Sequence, residues 1–135
     1  FRNQYIYRMF VRLAISLCFI TLTAAAMAGG WKNQDVNSKE VQDLVNKVVT
    51  KYNAESNDLF YHVPIEVKSA KSQVVAGVQY KIVLTVGQSS CMKNQVGAAE
   101  FDVANCAEKD DSTRKDITAT IWSKPWENFE QITFE

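Results

Sequence analysis

A cysteine thiolate activated by a nearby imidazole is the strongest nucleophilic pairing this chain could assemble. The sequence holds three cysteines, Cys18, Cys91 and Cys106, and a single histidine, His62. Cys18 lies in a segment expected to be removed, which leaves Cys91 and Cys106 as an even pair in an exported protein, and such a pair is expected to be bridged. Bridged sulfurs leave His62 no thiolate to activate. Beside Tyr61 on a strand flank, His62 reads as an ordinary surface or half-buried imidazole rather than a base or a metal ligand. The sequence has no glycine-rich phosphate loop, no metal-ligand cluster and no close carboxylate pair. The expectation is a protein that is not an enzyme and uses neither cofactor nor metal.

Binding chemistry is better represented. Gln73, Val74, Val75, Ala76 and Gly77 lie between two strand-like runs, where a hairpin turn normally takes Gly, Pro, Asn or Asp. Gly77 can supply a positive φ, but two β-branched valines in a reversing segment would be either strained or exposed. Two readings stay open: the valines form an exposed apolar docking tip, or they continue a strand across a bulge. Pro125-Trp126, in a second connection, poses a similar choice between an interface anchor and a ring folded back over the core. Both connections have the same polarity, so an antiparallel sheet brings them to one end. Gly29-Gly30, at the expected start of the mature chain, is a third short segment able to converge on that edge.

The elements that must carry these segments follow from periodicity. From Asn37 to Ala54, Val41, Leu44, Val45, Val48, Val49 and Tyr52 recur at three- and four-residue spacing, opposite Lys39, Gln42, Asp43, Asn46, Lys47 and Lys51. This predicts one amphipathic helix, with Asn37 and Glu40 as a capping-box-like start. Leu59 to Lys71 and Val78 to Val86 alternate apolar and polar residues, with a bulge expected at Pro64. Asp116 to Ser123 sets Ile117, Ala119 and Ile121 against Thr118, Thr120 and Trp122, and Glu127 to Phe134 is again strand-like. Gly87 to Arg114 lacks a sustained period and reads as a long surface excursion tied by its disulfide. The predicted class is α+β, an antiparallel sheet of four to five strands wrapped around one α-helix.

Residues 1–8 precede Met9 and read as upstream sequence. Residues 9–28 have the layout of a secretory signal: Arg8 and Arg12 ahead of an apolar run from Leu13 to Leu22, closed by small residues. That run is too short to span a membrane, which takes ~20 apolar residues. Cleavage after Ala28 or after Ala26 leaves 107 or 109 residues (135 minus 28 or 26), enough for one domain, residues 29–135. Removing Arg2, Arg8 and Arg12 from a balance of 15 basic and 15 acidic residues makes the mature charge 12 minus 15, or −3. A nucleic-acid partner would need clustered Lys and Arg and is not expected. The Cys91–Cys106 loop would contribute about 3 kcal/mol in the chain-entropy model. No Asn-x-Ser/Thr acceptor is present.

The order of these pieces resembles the cystatins, protein inhibitors of papain-like cysteine proteases. Gln73-Val74-Val75-Ala76-Gly77 is similar to that family's Gln-x-Val-x-Gly segment, Pro125-Trp126 to its second hairpin, and Gly29-Gly30 to its N-terminal glycine position. The resemblance implies a wedge of three segments that fills a protease cleft reversibly and without covalent chemistry, with Gly29 letting the leading trunk pass close to the enzyme. Ser56-Asn57-Asp58 resembles the second site that some members use against legumain-type asparaginyl endopeptidases; as a tripeptide alone it also reads as a helix-ending turn. Cys91 and Cys106 match the first bridge of the two-disulfide members, whereas no cysteine stands where a second would lie. A second hairpin without that bridge is expected to hold Trp126 less firmly. The implied partners are papain-like proteases (cathepsins) and legumain, acting on a secreted monomer. Strain near Val75 would permit a strand-exchanged dimer. A rival reading from another class is a secreted binding or signalling module that keeps the fold without inhibition.

Overall fold

The computed structural model describes residues 29–135, together with Gln4, Ile6 and Arg8. The proposed secretory signal at 9–28 and most of the upstream segment lie outside the described residues. Among the described residues, no helix is long and apolar enough to cross a membrane.

Five antiparallel strands form one sheet in sequence order: β1 (Lys32–Asn33), β2 (Phe60–Val75), β3 (Gly77–Met92), β4 (Lys115–Lys124) and β5 (Phe129–Phe134). Among the described residues, the helix α1 (Lys39–Glu55) crosses the sheet. Its stripe of Val41, Leu44, Val45, Val48 and Val49 is buried against Ala70 of β2, Ile82, Leu84 and Val86 of β3, and Ala119 and Ile121 of β4. Each large aliphatic side chain so buried contributes ~1.5–3 kcal/mol before entropy is subtracted. The class and the helix-on-sheet core are as predicted.

The helix start differs by one residue from the expected one. Ser38, not Asn37, is the N-cap, and its hydroxyl accepts from the Val41 amide at 3.3 Å. Glu40 is instead engaged by the Tyr80 hydroxyl of β3. Burial, followed by that carboxylate, pushes the Tyr80 phenol up to about 12.

Both long strands outrun their predictions. β2 shifts register between Pro64 and Glu66, where a bulge was expected, and again between Phe60 and His62 and between Val67 and Ser69. Such extra residues bend a strand, and here they occur along the strand that borders the helix. β3 does not stop at Val86. It continues through Gly87, Gln88 and Ser89 to Met92, because the early part of β2 supplies partners as far as Phe60 opposite Met92. The predicted excursion is therefore shorter, beginning after Met92. It is held by more than the Cys91–Cys106 bridge, whose Cα atoms are 5.5 Å apart. Tyr61 stacks on Phe101 at 4.3 Å and donates its hydroxyl to the Val96 carbonyl at 2.7 Å, while a bridge pairs Ser89 with Glu108.

Candidate functional site

Strand direction decides where the apolar segments go. β2 and β4 run toward the same end of the sheet, so the β2–β3 and β4–β5 reversals are neighbours there, with Val78 and Ser123 the uppermost pair of the β3–β4 ladder. The two readings of the valine segment prove compatible. Val74 and Val75 do continue the strand, paired with Val78 and Gly77, and the reversal itself is confined to Ala76 and Gly77. Gly77 has φ +97°, and a Cβ there would lie 2.2 Å from the Ser123 carbonyl oxygen. Extended backbone suits β-branched residues. Val75 has no positive φ, and the left-handed conformation at this reversal sits at Gly77. Val74 nevertheless stays 60% exposed, and Ala76 is also exposed. Gln73 donates its side-chain amide to Gln79 Oε1 at 2.9 Å, stapling the two strands below the turn.

The second reversal is a 3-10 turn over Pro125–Glu127, with Pro125 at its first position and Asn128 left-handed at φ 50°. Asn tolerates that region. Trp126 on this turn is 67% exposed, so its ring does not cover the core. Gly29 is half-buried and Gly30 exposed; a Cβ added to either meets nothing within 4 Å. Their own fold therefore imposes no need for glycine. The segment that follows joins the edge of β2, with Lys32 opposite Ser72, Asn33 opposite Lys71, and the Gln34 amide donating to the Ala70 carbonyl at 2.8 Å. Because β1 is antiparallel to β2, the chain before Lys32 runs toward the valine turn. Trp31, between Gly30 and β1, is 42% exposed.

One residue at this end was not recognised in the sequence. Trp122, assigned there only to the polar side of a strand, donates its indole N–H to the Ala76 carbonyl at 2.9 Å. Its alternation with Thr118 and Thr120 gave the face but no partner.

The Ser56-Asn57-Asp58 segment is at the opposite end of the sheet. Ser56 is the C-cap of α1, its amide donating to the Tyr52 carbonyl at 2.8 Å, and its hydroxyl accepts from the Asp58 amide at 3.1 Å. Lys93 Nζ donates to the Asn53 and Ser56 carbonyls at 2.7 and 2.8 Å, closing the helix end. Asn57 is exposed between its two structural neighbours.

His62, expected at or near the surface, is buried at 1% exposure. A second unrecognised residue explains this: Asn53, four positions after Val49 on the helix stripe, is buried with it. Asn53 Oδ1 accepts from the His62 amide at 2.8 Å and Asn53 Nδ2 donates to the His62 carbonyl at 2.9 Å, so helix and strand are laced through that residue's backbone. The ring meets Tyr52 edge-on at 5.2 Å, and Nε2 lies 3.3 Å from Asp58 Oδ2. Burial, then the positive charges of Lys115 and Lys93, holds the imidazole below its ordinary value of 6.5 against the opposing pull of Asp58. A base whose folded value is depressed binds protons first in the unfolded chain, so its contribution to stability is complete above pH ~6.5 and declines as pH falls below it. The unfolding midpoint should therefore drop between pH 7 and pH 5, and His62→Leu should flatten that slope; a midpoint with the same slope in both proteins would contradict this assignment.

A family model described as "Cystatin domain" matches residues 29–133. Onchocystatin of Onchocerca volvulus is 35% identical over 106 residues, which are 78% of this chain and 64% of that protein. The chain thus spans just under two thirds of that relative. Cystatin cpi-1 of Caenorhabditis elegans is 37% identical over 126 residues, covering 91% of this chain and 89% of its own length. Among solved structures, the crystal structure of Al-CPI superposes with a TM-score of 0.71 at 42% identity, covering 79% of this chain and 95% of the other.

Proposed function

Since the chain belongs to the cystatin family, we propose that it is a reversible, noncovalent inhibitor of papain-like cysteine proteases of the cathepsin type. The observation that carries this reading is the junction of two apolar reversals at one end of the sheet, Val74 to Gly77 and Pro125-Trp126, with the Gly29-Gly30 trunk running toward the same end. Val74, Ala76 and Trp126 are unburied there. An apolar edge of this kind displaces water from a cleft and blocks its catalytic Cys-His pair, while offering no peptide bond in position for attack. Release then restores both proteins unchanged. Glycine at position 29 serves the partner's approach rather than the inhibitor's own packing, because a Cβ meets nothing there in the free protein. The protein acts outside the cell in this reading; support comes from the apolar run Leu13 to Leu22 after Arg12 and from the Cys91–Cys106 bridge. Titrating papain with the protein tests the proposal. Loss of activity reaching completion at one equivalent is expected, and full activity at micromolar inhibitor would favour a binding module without inhibition.

A separate legumain-type site at Ser56-Asn57-Asp58 forms the second part of the proposal. Its support is an exposed Asn57 whose flanks are fixed by the Ser56–Asp58 turn and by Lys93, far from the apolar edge. An asparaginyl pocket would take the amide as it takes a substrate's. Asn57→Lys is expected to abolish legumain inhibition and leave papain inhibition within about twofold, the scatter of a remote surface change. Joint loss would place both activities on one face.

A further inference from the structure

We infer that Trp122 is the positioning residue that locks the two apolar reversals into one rigid edge; this rests on the inhibitor reading above. The contact is between hairpins that the sheet ladder joins only as far as Val78 and Ser123. Above that pair, the indole N–H of β4 reaches across to the Ala76 carbonyl at 2.9 Å, the crest of the other hairpin. The ring is itself fixed from behind. Phe129, the first residue of β5, meets it edge-on with centroids 5.4 Å apart. Lys124 Nζ lies 4.4 Å from the Trp122 centroid and 4.9 Å from that of Phe129, and its charge is shared with Glu127 at 3.3 Å. One side chain thereby ties the turn holding Trp126 to the turn holding Val74. Gly77 makes this possible, since any Cβ there would collide with the Ser123 carbonyl and force the hairpins apart.

Residues 107–135 hold no cysteine, and among the described residues the second hairpin is held by noncovalent contacts. The Trp122 contacts are among them. Ordering both reversals before docking reduces the conformational freedom lost on binding, and that saving appears as affinity.

Trp122→Phe keeps an aromatic ring beside Phe129 and Lys124 and removes only the N–H donor. Three quantities are read on wild type and variant: the inhibition constant for papain, the unfolding midpoint, and amide exchange at residues 74–78 and 125–129. The inhibition constant should rise about three- to tenfold, the size of one net hydrogen bond. Exchange should quicken at both reversals together, with the midpoint nearly unmoved, and Trp122→Ala should exceed these effects because it also drops the ring contacts. Unchanged exchange around Ala76 in Trp122→Phe would overturn the inference. So would a weaker inhibition that merely tracks a lowered midpoint. If wild type does not inhibit papain, the inhibitor reading fails, while the exchange measurement still decides whether Trp122 holds the two reversals.

Discussion

Trp126→Ala is expected to weaken papain inhibition by about 2–4 kcal/mol, or roughly 30- to 1,000-fold, without lowering the unfolding midpoint. The two halves of this expectation come from the same fact. A ring that is 67% exposed contributes little to the packing of the free protein, so its removal leaves no cavity in the core. In the proposed complex the same ring would be desolvated within the apolar edge, and tryptophan is among the residues that most often dominate binding energy. Its backbone is held in place by the 3-10 turn, with Pro125 at the first position and the Asn128 amide donating to the Pro125 carbonyl at 3.1 Å. The turn geometry does not depend on the indole. Inhibition constants and thermal melts of the two proteins check this; equal affinity would put the ring outside the interface.

Gly77→Ala should do the opposite, damaging fold and inhibition together. At φ +97° a side chain is strained, and the built Cβ falls 2.2 Å from a backbone oxygen that cannot rotate away. Either the β2–β3 reversal or the top of β4 has to move. A destabilisation of about 2–4 kcal/mol in urea unfolding is expected, with papain inhibition weakened at least tenfold because Ala76 and Trp122 lose register. Gly29→Ala and Gly30→Ala form the control, since open space surrounds both positions and neither should change stability. A Gly77→Ala protein that keeps both its midpoint and its affinity would mean that the two hairpins are not packed as described.

The helix and the four longer strands were legible because they depend on local periodicity, whereas the two-residue β1 ahead of the helix is too short to show any. Val41, Leu44, Val45, Val48 and Val49 mark one face of α1, and alternation marks β2, β3 and β4 wherever a single face is buried. The common end of the two reversals was legible too, since it needs only strand polarity. Other features depended on partners distant in sequence. Gly87, Gln88 and Ser89 break the alternation of β3, yet the strand persists because the opening of β2 pairs with it. His62 looks polar and peripheral until Asn53 is known to lace its backbone to the helix. The choice between Asn37 and Ser38 as helix cap turned on geometry alone, as both residue types cap well. Trp122 shows the limit most clearly: its face was read correctly, but its function as a clasp depends on a carbonyl 46 residues earlier.

Amide exchange of the protein, free and saturated with papain, tests most directly whether these segments form one plug. Expected is protection concentrated at residues 73–77 and 125–129 and in the trunk around Gly30 and Trp31, with the Ser56-Asn57-Asp58 turn exchanging as before. Protection at that turn, or at none of the three apolar segments, would contradict a wedge seated in the protease cleft.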